Sequence, residues 1–407
     1  MRISTNQLYD LSIKGVLDNQ RELSHVQQQL SSGKKLLRPS DDPVGASQVI
    51  RLTEQLDQLK QFQENNNLLV NSLEQEEVVM RSLNSSMNRA RQLTIEAGNG
   101  ILAEEDRAAI GIEMEQIRSE VFDLMNSQNA EGEYIFAGYQ SHTPAFEYNP
   151  SSPGNKYQFV GDDGQNEIQI SPSVTVKNGD SGKAVFEDVS ARLKTQVTGT
   201  TANSAKVQIT QQDAHDFFHK NNYDKVTPAN NNFQITILAP GNQVSVDNVG
   251  TGANLGTFSY DPNQPFTFKG MDFTIDGAVG DTVDFTLQAP QKKNIAETLN
   301  DLALALNDEN ISDSDYAEAI ADALVGMDNA LKTLADANSA VGGRLNVAQS
   351  VYESNLDLEI SNKLARSSIE EVDYAEAVTE LSKQENALQA AQSTFARVAN
   401  LSLFDYI

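Results

Sequence analysis

The sequence predicts an α+β protein: long N- and C-terminal helices paired as a coiled coil or helical bundle, with a mostly antiparallel β-domain inserted between them. Three observations carry this. Residues 137–290 hold nine of the 11 prolines, whereas 291–407 have none and 1–136 have only Pro39 and Pro43, so both flanks are free to run as long helices. The same middle segment holds 14 of the 24 glycines and 11 of the 16 phenylalanines, which is turn and strand chemistry. In the flanks, apolar residues recur with the 3.5-residue spacing of a coiled-coil seam.

In chain order, Tyr9, Val16, Leu23 and Leu30 recur every seven residues and give the first helix one narrow stripe, too thin to face a core alone. A polar connection follows from Ser31 to Pro43, with Gly33 as the helix stop and Asp41 or Asp42 as the N-cap ahead of Pro43. The next helix carries Val49, Leu52, Leu56 and Leu59 and, after a polar stretch, Val70, Leu73, Met80, Leu83, Met87 and Ala90. Acidic Glu104-Glu105-Asp106 reads as a solvated face or a helix start.

Strands are expected at 157–160 and 167–170, joined as a hairpin by a loop of six, then at 206–210, 233–238, 244–248, 265–275 and 282–288. Alternation from Thr282 to Leu287 suits a sheet with one wet face, while 172–201 is polar and gives no clear element. The seam then resumes at Ile320, Leu324, Met327, Leu331, Leu334, Asn338, Val341, Leu345, Ala348 and Tyr352. Asn338 either fixes register or marks a helix loosening before Gly342-Gly343. Last come Tyr374, Leu381, Leu388 and Phe395, with Ala377, Gln384, Ala391 and Val398 three positions behind.

The expected domains are 1–44 with 365–407 as a terminal coiled-coil assembly region, 45–136 with 291–364 as a helical bundle domain, and 137–290 as an inserted β-rich outer domain. Matching stripes at the two ends can pair only if the insert returns the chain to where it left.

Charge and chemistry narrow the function. Thirty basic against 57 acidic residues give a net charge of −27, which repels phosphate backbones and anionic lipid, so neither nucleic acid nor a membrane is an expected partner. With no cysteine there is no disulfide, thiolate metal site or thiol nucleophile. No run approaches the ~18 apolar residues of a membrane span, and Met1 to Gly15 lacks the apolar centre of a secretory signal, so export would need another route.

Gly179-Asp180-Ser181-Gly182 matches the core of a serine-hydrolase nucleophile motif, but Lys183 follows it and only His25 and His142 precede it, so a polar turn is the better reading. His215 and His219 would share a helix face, with Asp213 and Asp216 close by and no third ligand evident. Gly250, Gly252 and Gly256 are spaced wrongly for a dinucleotide loop, and Asp162-Asp163-Gly164 lacks the ligand alternation of a calcium loop. No catalytic, cofactor or metal site is predicted.

The two ends carry a more specific signal. Met1-Arg-Ile-Ser-Thr-Asn-Gln7, Leu30-Ser-Ser-Gly-Lys34 and Ser40-Asp-Asp42 resemble the N-terminal signature of bacterial flagellins and their relatives. Gly343-Arg-Leu-Asn346, Ile369-Glu-Glu-Val-Asp-Tyr-Ala-Glu376 and Ala390-Ala-Gln-Ser-Thr-Phe-Ala396 resemble the C-terminal one. Within that family, the Met-Arg-Ile-Ser-Thr-Asn start, Pro43 after Asp42, Gly132 to Gly138 followed by Thr143-Pro-Ala-Phe146, and the Leu401 to Ile407 ending resemble the branch that joins hook to filament. A minor filament subunit is the alternative.

The resemblance implies a non-enzymatic structural subunit, exported by the flagellar type III apparatus with a chaperone and placed extracellularly at the hook-filament junction. Its implied partners are hook-associated protein 1, flagellin and further copies of itself, with no cofactor. The expected assembly interface comprises Tyr9, Val16, Leu23, Val26, Leu30, Tyr374, Leu381, Leu388, Ala391, Phe395, Val398, Leu401 and Phe404.

Overall fold

The computed structural model describes residues 5–99, 102–152 and 154–404, without the side chains of residues 5, 6, 8 and 398–404. Seven helices frame it: α1 (Thr5–Ser32), α2 (Pro43–Ala97), α3 (Glu104–Met125), α4 (Gln212–Asn222), α5 (Ile295–Leu306), α6 (Asp313–Glu370) and α7 (Tyr374–Phe404). Helix ends follow local chemistry. Gly33 takes φ +72° and donates to Gln29 O, closing α1. Asp42 Oδ1 then accepts from the Val44 and Gly45 amides, so of the two aspartates Asp42 caps α2, with proline at its first turn. Glu104 to Asp106 form the first turn of α3, where their charge complements the helix dipole. Ser312 caps α6 through the Asp315 amide, and Asp373 caps α7 through Ala375.

The chain divides into two compact units: Met1–Leu68, Ile168–Val176 and Val347–Ile407 in the first, Leu69–Glu167 and Lys177–Asn346 in the second. In the first unit, α1 and α7 form an antiparallel pair. Asn66 Nδ2 on α2 donates to Ala348 O on α6 at 2.8 Å. A small hairpin, β3 (Glu167–Ser171) with β4 (Val174–Lys177), is held by Asn65 and Asn355, which donate to the carbonyls of Gln169 and Ile170.

The second unit has two hydrophobic cores. One is helical: Leu83, Met87, Met114, Val121, Leu299 and Met327 are essentially inaccessible, and Phe136, Phe146, Tyr157 and Phe186 join them. The short pair β1 (Phe146–Tyr148) and β2 (Tyr157–Phe159) belongs to this core. The other core belongs to a five-stranded antiparallel sheet and a three-stranded one. The larger sheet runs β5 (Thr195–Thr200), β12 (Thr282–Leu287), β7 (Asn232–Leu238), β8 (Gln243–Asn248), β9 (Asn254–Ser259). The smaller runs β10 (Phe266–Phe268), β11 (Met271–Asp276), β6 (Ser204–Ile209). Phe233, Phe273 and Phe285 fill the space between them, with Phe218 of α4. The expected insert 137–290 thus supplies residues to both cores.

Four local expectations are corrected. Strands 157–160 and 167–170 do not pair with each other, because Asp162 Oδ1 accepts from the Tyr139 and Gly164 amides and turns the chain aside between them. Segment 265–275 is two strands, folded at Lys269 and Gly270, both with positive φ. Segment 172–201 holds β4, a π-turn at Lys183–Glu187 and β5. Helix α6 runs unbroken through Gly342-Gly343, so Asn338 marks no loosening.

The seam periodicity is exact in α6 every seven residues: Ile320, Met327, Leu334, Val341, Ala348 and Asn355 are all buried. The companion row differs by one position from the expected one. Ala323 and Ala330 are buried where Leu324 and Leu331 are half-exposed, because α5 comes close: a Cβ on Gly326 would stand 2.8 Å from Thr298 Cγ2.

Candidate assembly site

The terminal stripes meet. Tyr9 and Phe395 pack with ring centroids 5.2 Å apart, and Asn19 Nδ2 donates to Ala387 O at 3.4 Å. Each stripe advances by seven in opposite directions, so the same register sets Val16 opposite Leu388, Leu23 opposite Leu381 and Leu30 opposite Tyr374. At the far end the chain is clasped through the backbone. Lys35 N donates to Glu370 O at 2.7 Å, Val372 N to Gly33 O at 3.0 Å, and the Lys34 ammonium pairs with Glu370. Gly33 is needed there for its φ, and a Cβ would also lie 3.1 Å from Tyr374 Oη.

This seam is unfinished. Tyr9 is 40% and Tyr374 58% exposed, while Val16, Leu23, Leu30, Leu381, Leu388, Ala391 and Phe395 are half-buried; among the described residues of the expected interface only Val26 is buried. Leu11, Leu17 and Val378 add exposed apolar surface beside the stripe. Val398, Leu401 and Phe404 lie outside the described side chains. Beside the α1–α2 connection, a cavity of about 440 Å³ is lined by His25, Lys35, Asp41, Gln48 and Ile369 among others. Its Asp41 carboxyl is held below the usual carboxylate range by the Arg38 amide.

The other motifs have structural roles. Ser181 is buried and its hydroxyl bonds Asp163 at 3.3 Å, with no imidazole in contact. His215 and His219 do share one face of α4, but inside the β-core: His215 Nε2 bonds Thr195 Oγ1 and His219 Nε2 bonds Gln288 O, both at 2.8 Å. Burial pushes His215 down to about 4 and lowers His219 as well, so both are neutral hydrogen-bonding groups. Among the described residues no three His, Asp or Glu side chains are placed to hold a metal ion, and no helix is long and apolar enough to cross a membrane.

Two polar clusters escaped the sequence reading. Glu76 is buried in α2 beside Asp180 and Arg344. The other cluster ties the β-core to α6: Arg192, with a 4% exposed side chain, pairs with Asp322 at 3.1 Å, and Lys194 pairs with Glu318 at 3.1 Å. A charge at a seam position, Glu76 one heptad from Leu69 and Leu83, was the available signal for the first. The second joins residues 130 apart and left none.

Long paired terminal helices around a β-bearing insertion are a flagellin-like architecture, and the comparisons agree. Residues 3–141 match the bacterial flagellin N-terminal helical region and 324–407 the bacterial flagellin C-terminal helical region, together more than half of the chain. The chain belongs to the flagellin family.

Among relatives, flagellar hook-associated protein 3 of Escherichia coli K12 is 27% identical over 204 residues, 50% of this chain and 62% of that protein. The match thus spans less than two thirds of that relative. Flagellin FlaB1 of Treponema pallidum is 32% identical over 131 residues, 30% of this chain and 46% of that one. The crystal structure of hook-associated protein-3 from Legionella pneumophila superposes with a TM-score of 0.61 at 23% identity, covering 79% of this chain and 98% of that one, which shows the shared fold.

Proposed function

We propose that the chain is a non-enzymatic structural subunit of the bacterial flagellum, exported through the flagellar type III apparatus with a chaperone. It would sit outside the cell at the hook-filament junction, between hook-associated protein 1 and the first flagellins, beside copies of itself. The likeness to hook-associated protein 3 over half the chain supports the junction role over a minor filament subunit, since the flagellin likeness covers less of it. The observation that carries assembly is the half-covered α1/α7 seam.

In this reading residues 1–44 and 365–407 are the assembly region, with Tyr9, Val16, Leu23, Val26, Leu30, Tyr374, Leu381, Leu388, Ala391, Phe395, Val398, Leu401 and Phe404 at the interface. Residues 45–136 and 291–364 are the bundle, and 137–290 the outward insert. Neighbouring subunits cover the faces that α1 and α7 leave open, making helix order and assembly one event. Deleting the gene in its motile host and imaging the cells tests this: hooks without filaments, with flagellin shed into the medium, is the expected result, and intact filaments would refute the junction role.

A further inference from the structure

The Gly179–Gly182 segment that looks like a nucleophile motif closes a buried charge cluster. Glu76 projects from the α2 seam and is 2% exposed. Its Oε1 accepts from the Asp180 amide at 3.0 Å, whereas Oε2 has no hydrogen-bond partner. The nearby cation is already committed: Arg344 Nη2 pairs with the Asp180 carboxylate and stays 4.0 Å from Glu76 Oε2. The remaining Arg344 contacts are longer, from Nη1 to Lys177 O at 3.5 Å and from Nε to Ala340 O at 3.4 Å.

Among the described residues no other cation pairs with Glu76. Glu76 lines a polar cavity of about 80 Å³ with Gln75, Asn129, Glu133 and Asn178, room enough for water. The Glu133 carboxylate is taken up by Asn129 and Ser141, and Lys183 by Asp163. A buried carboxylate and a half-buried one therefore share one guanidinium, and an unpaired buried charge is the costliest arrangement open to the site. A proton on the more deeply buried carboxyl removes that cost.

We infer that Glu76 is a proton-operated latch: protonated, it lets Arg344 hold Asp180 and the 178–182 turn against α2; ionised, it competes for Arg344 and frees the turn. Burial first, and then the charge of Asp180, raise the Glu76 carboxyl to about 8, against the opposing pull of Arg344 and of the Asp180 amide. The closed turn thus binds a proton that the open turn, with an ordinary carboxylate, releases. Opening should become about tenfold more frequent per pH unit from the ordinary carboxylate range up to about pH 8, and stay level on either side of that window.

The test uses the full chain with its glutamates labelled at the carboxyl carbon, followed by NMR, together with amide exchange of residues 178–182 corrected for base catalysis. One glutamate titrating near pH 8, lost in Glu76→Gln, and a pH-dependent opening flattened by the same substitution are expected. Asp180→Asn frees Arg344 for Glu76 and should move that titration to lower pH, which keeps the proposal testable if Glu76→Gln does not fold. Titration of every glutamate in the ordinary carboxylate range, or an opening profile independent of pH in the unsubstituted chain, would overturn it.

Discussion

The seam of α6 and the seam between α1 and α7 are written in the same heptad code, yet they are finished differently. In α6, Met327 and Leu334 are at most 1% exposed, in a core to which α2, α3 and α5 also contribute side chains. In the terminal pair the stripes stay incompletely covered, with Tyr9 and Tyr374 40% and 58% exposed. Fixing a residue costs about 1–2 kcal/mol, and a fully buried large side chain returns about 1.5–3 kcal/mol. One half-covered apolar residue or two per turn therefore cannot hold a helix that a second row and a third neighbour would hold. A heptad stripe thus specifies which residues meet; how many neighbours cover them decides whether the helix is stable before assembly.

The largest expected effect separates the two seams by function. Leu388→Asp places a charge in the terminal seam and, on the proposed role, should abolish assembly, scored by filament formation, while circular dichroism and melting of the free subunit change little. Next, removing Thr195–Leu287 through a short linker from Lys194 to Gln288 should leave a folded helical core, because these ends are already joined by the Gln288 N to Lys194 O bond at 2.9 Å. Removing all of 137–290 instead takes Phe146, Tyr157 and Phe186 out of the helical core and should lower its melting temperature sharply. Equal stability of the two deletions would mean that these aromatics contribute little.

A truncation pair sharpens the contrast. Leu83→Ala, at a fully inaccessible position, should cost about 2–5 kcal/mol in denaturant unfolding of the free subunit, whereas Leu381→Ala should cost well under half of that and show its effect in assembly. The smallest effect belongs to the acidic surface. Glu104→Gln with Glu105→Gln removes only helix-dipole complementarity at the start of α3 and should shift stability by about 1 kcal/mol or less, with motility retained.

The parts legible in sequence were those set by local rules. Gly33 as helix stop, an aspartate (Asp41 or Asp42) ahead of Pro43 as helix start and the seven-residue stripes need only neighbours in sequence to be understood. The parts that were not legible depend on distant residues. Strand pairing of 157–159 was decided by Asp162 turning against Tyr139, and the buried alanine row of α6 by the approach of α5 at Thr298. Glu76 was skipped because a charge in a seam looks like a break in the pattern until Asp180 and Arg344 are placed beside it.

Amide hydrogen exchange on a demonstrated monomer, and then on the assembled protein, shows whether neighbours are what order the terminal helices. Strong protection is expected over the central parts of α2 and α6 in both states, with weak protection over residues 9–30 and 374–397 in the monomer that becomes strong on assembly. Strong protection of both terminal helices in the monomer would contradict that expectation, because the α1/α7 pair would then be stable before any neighbour arrived.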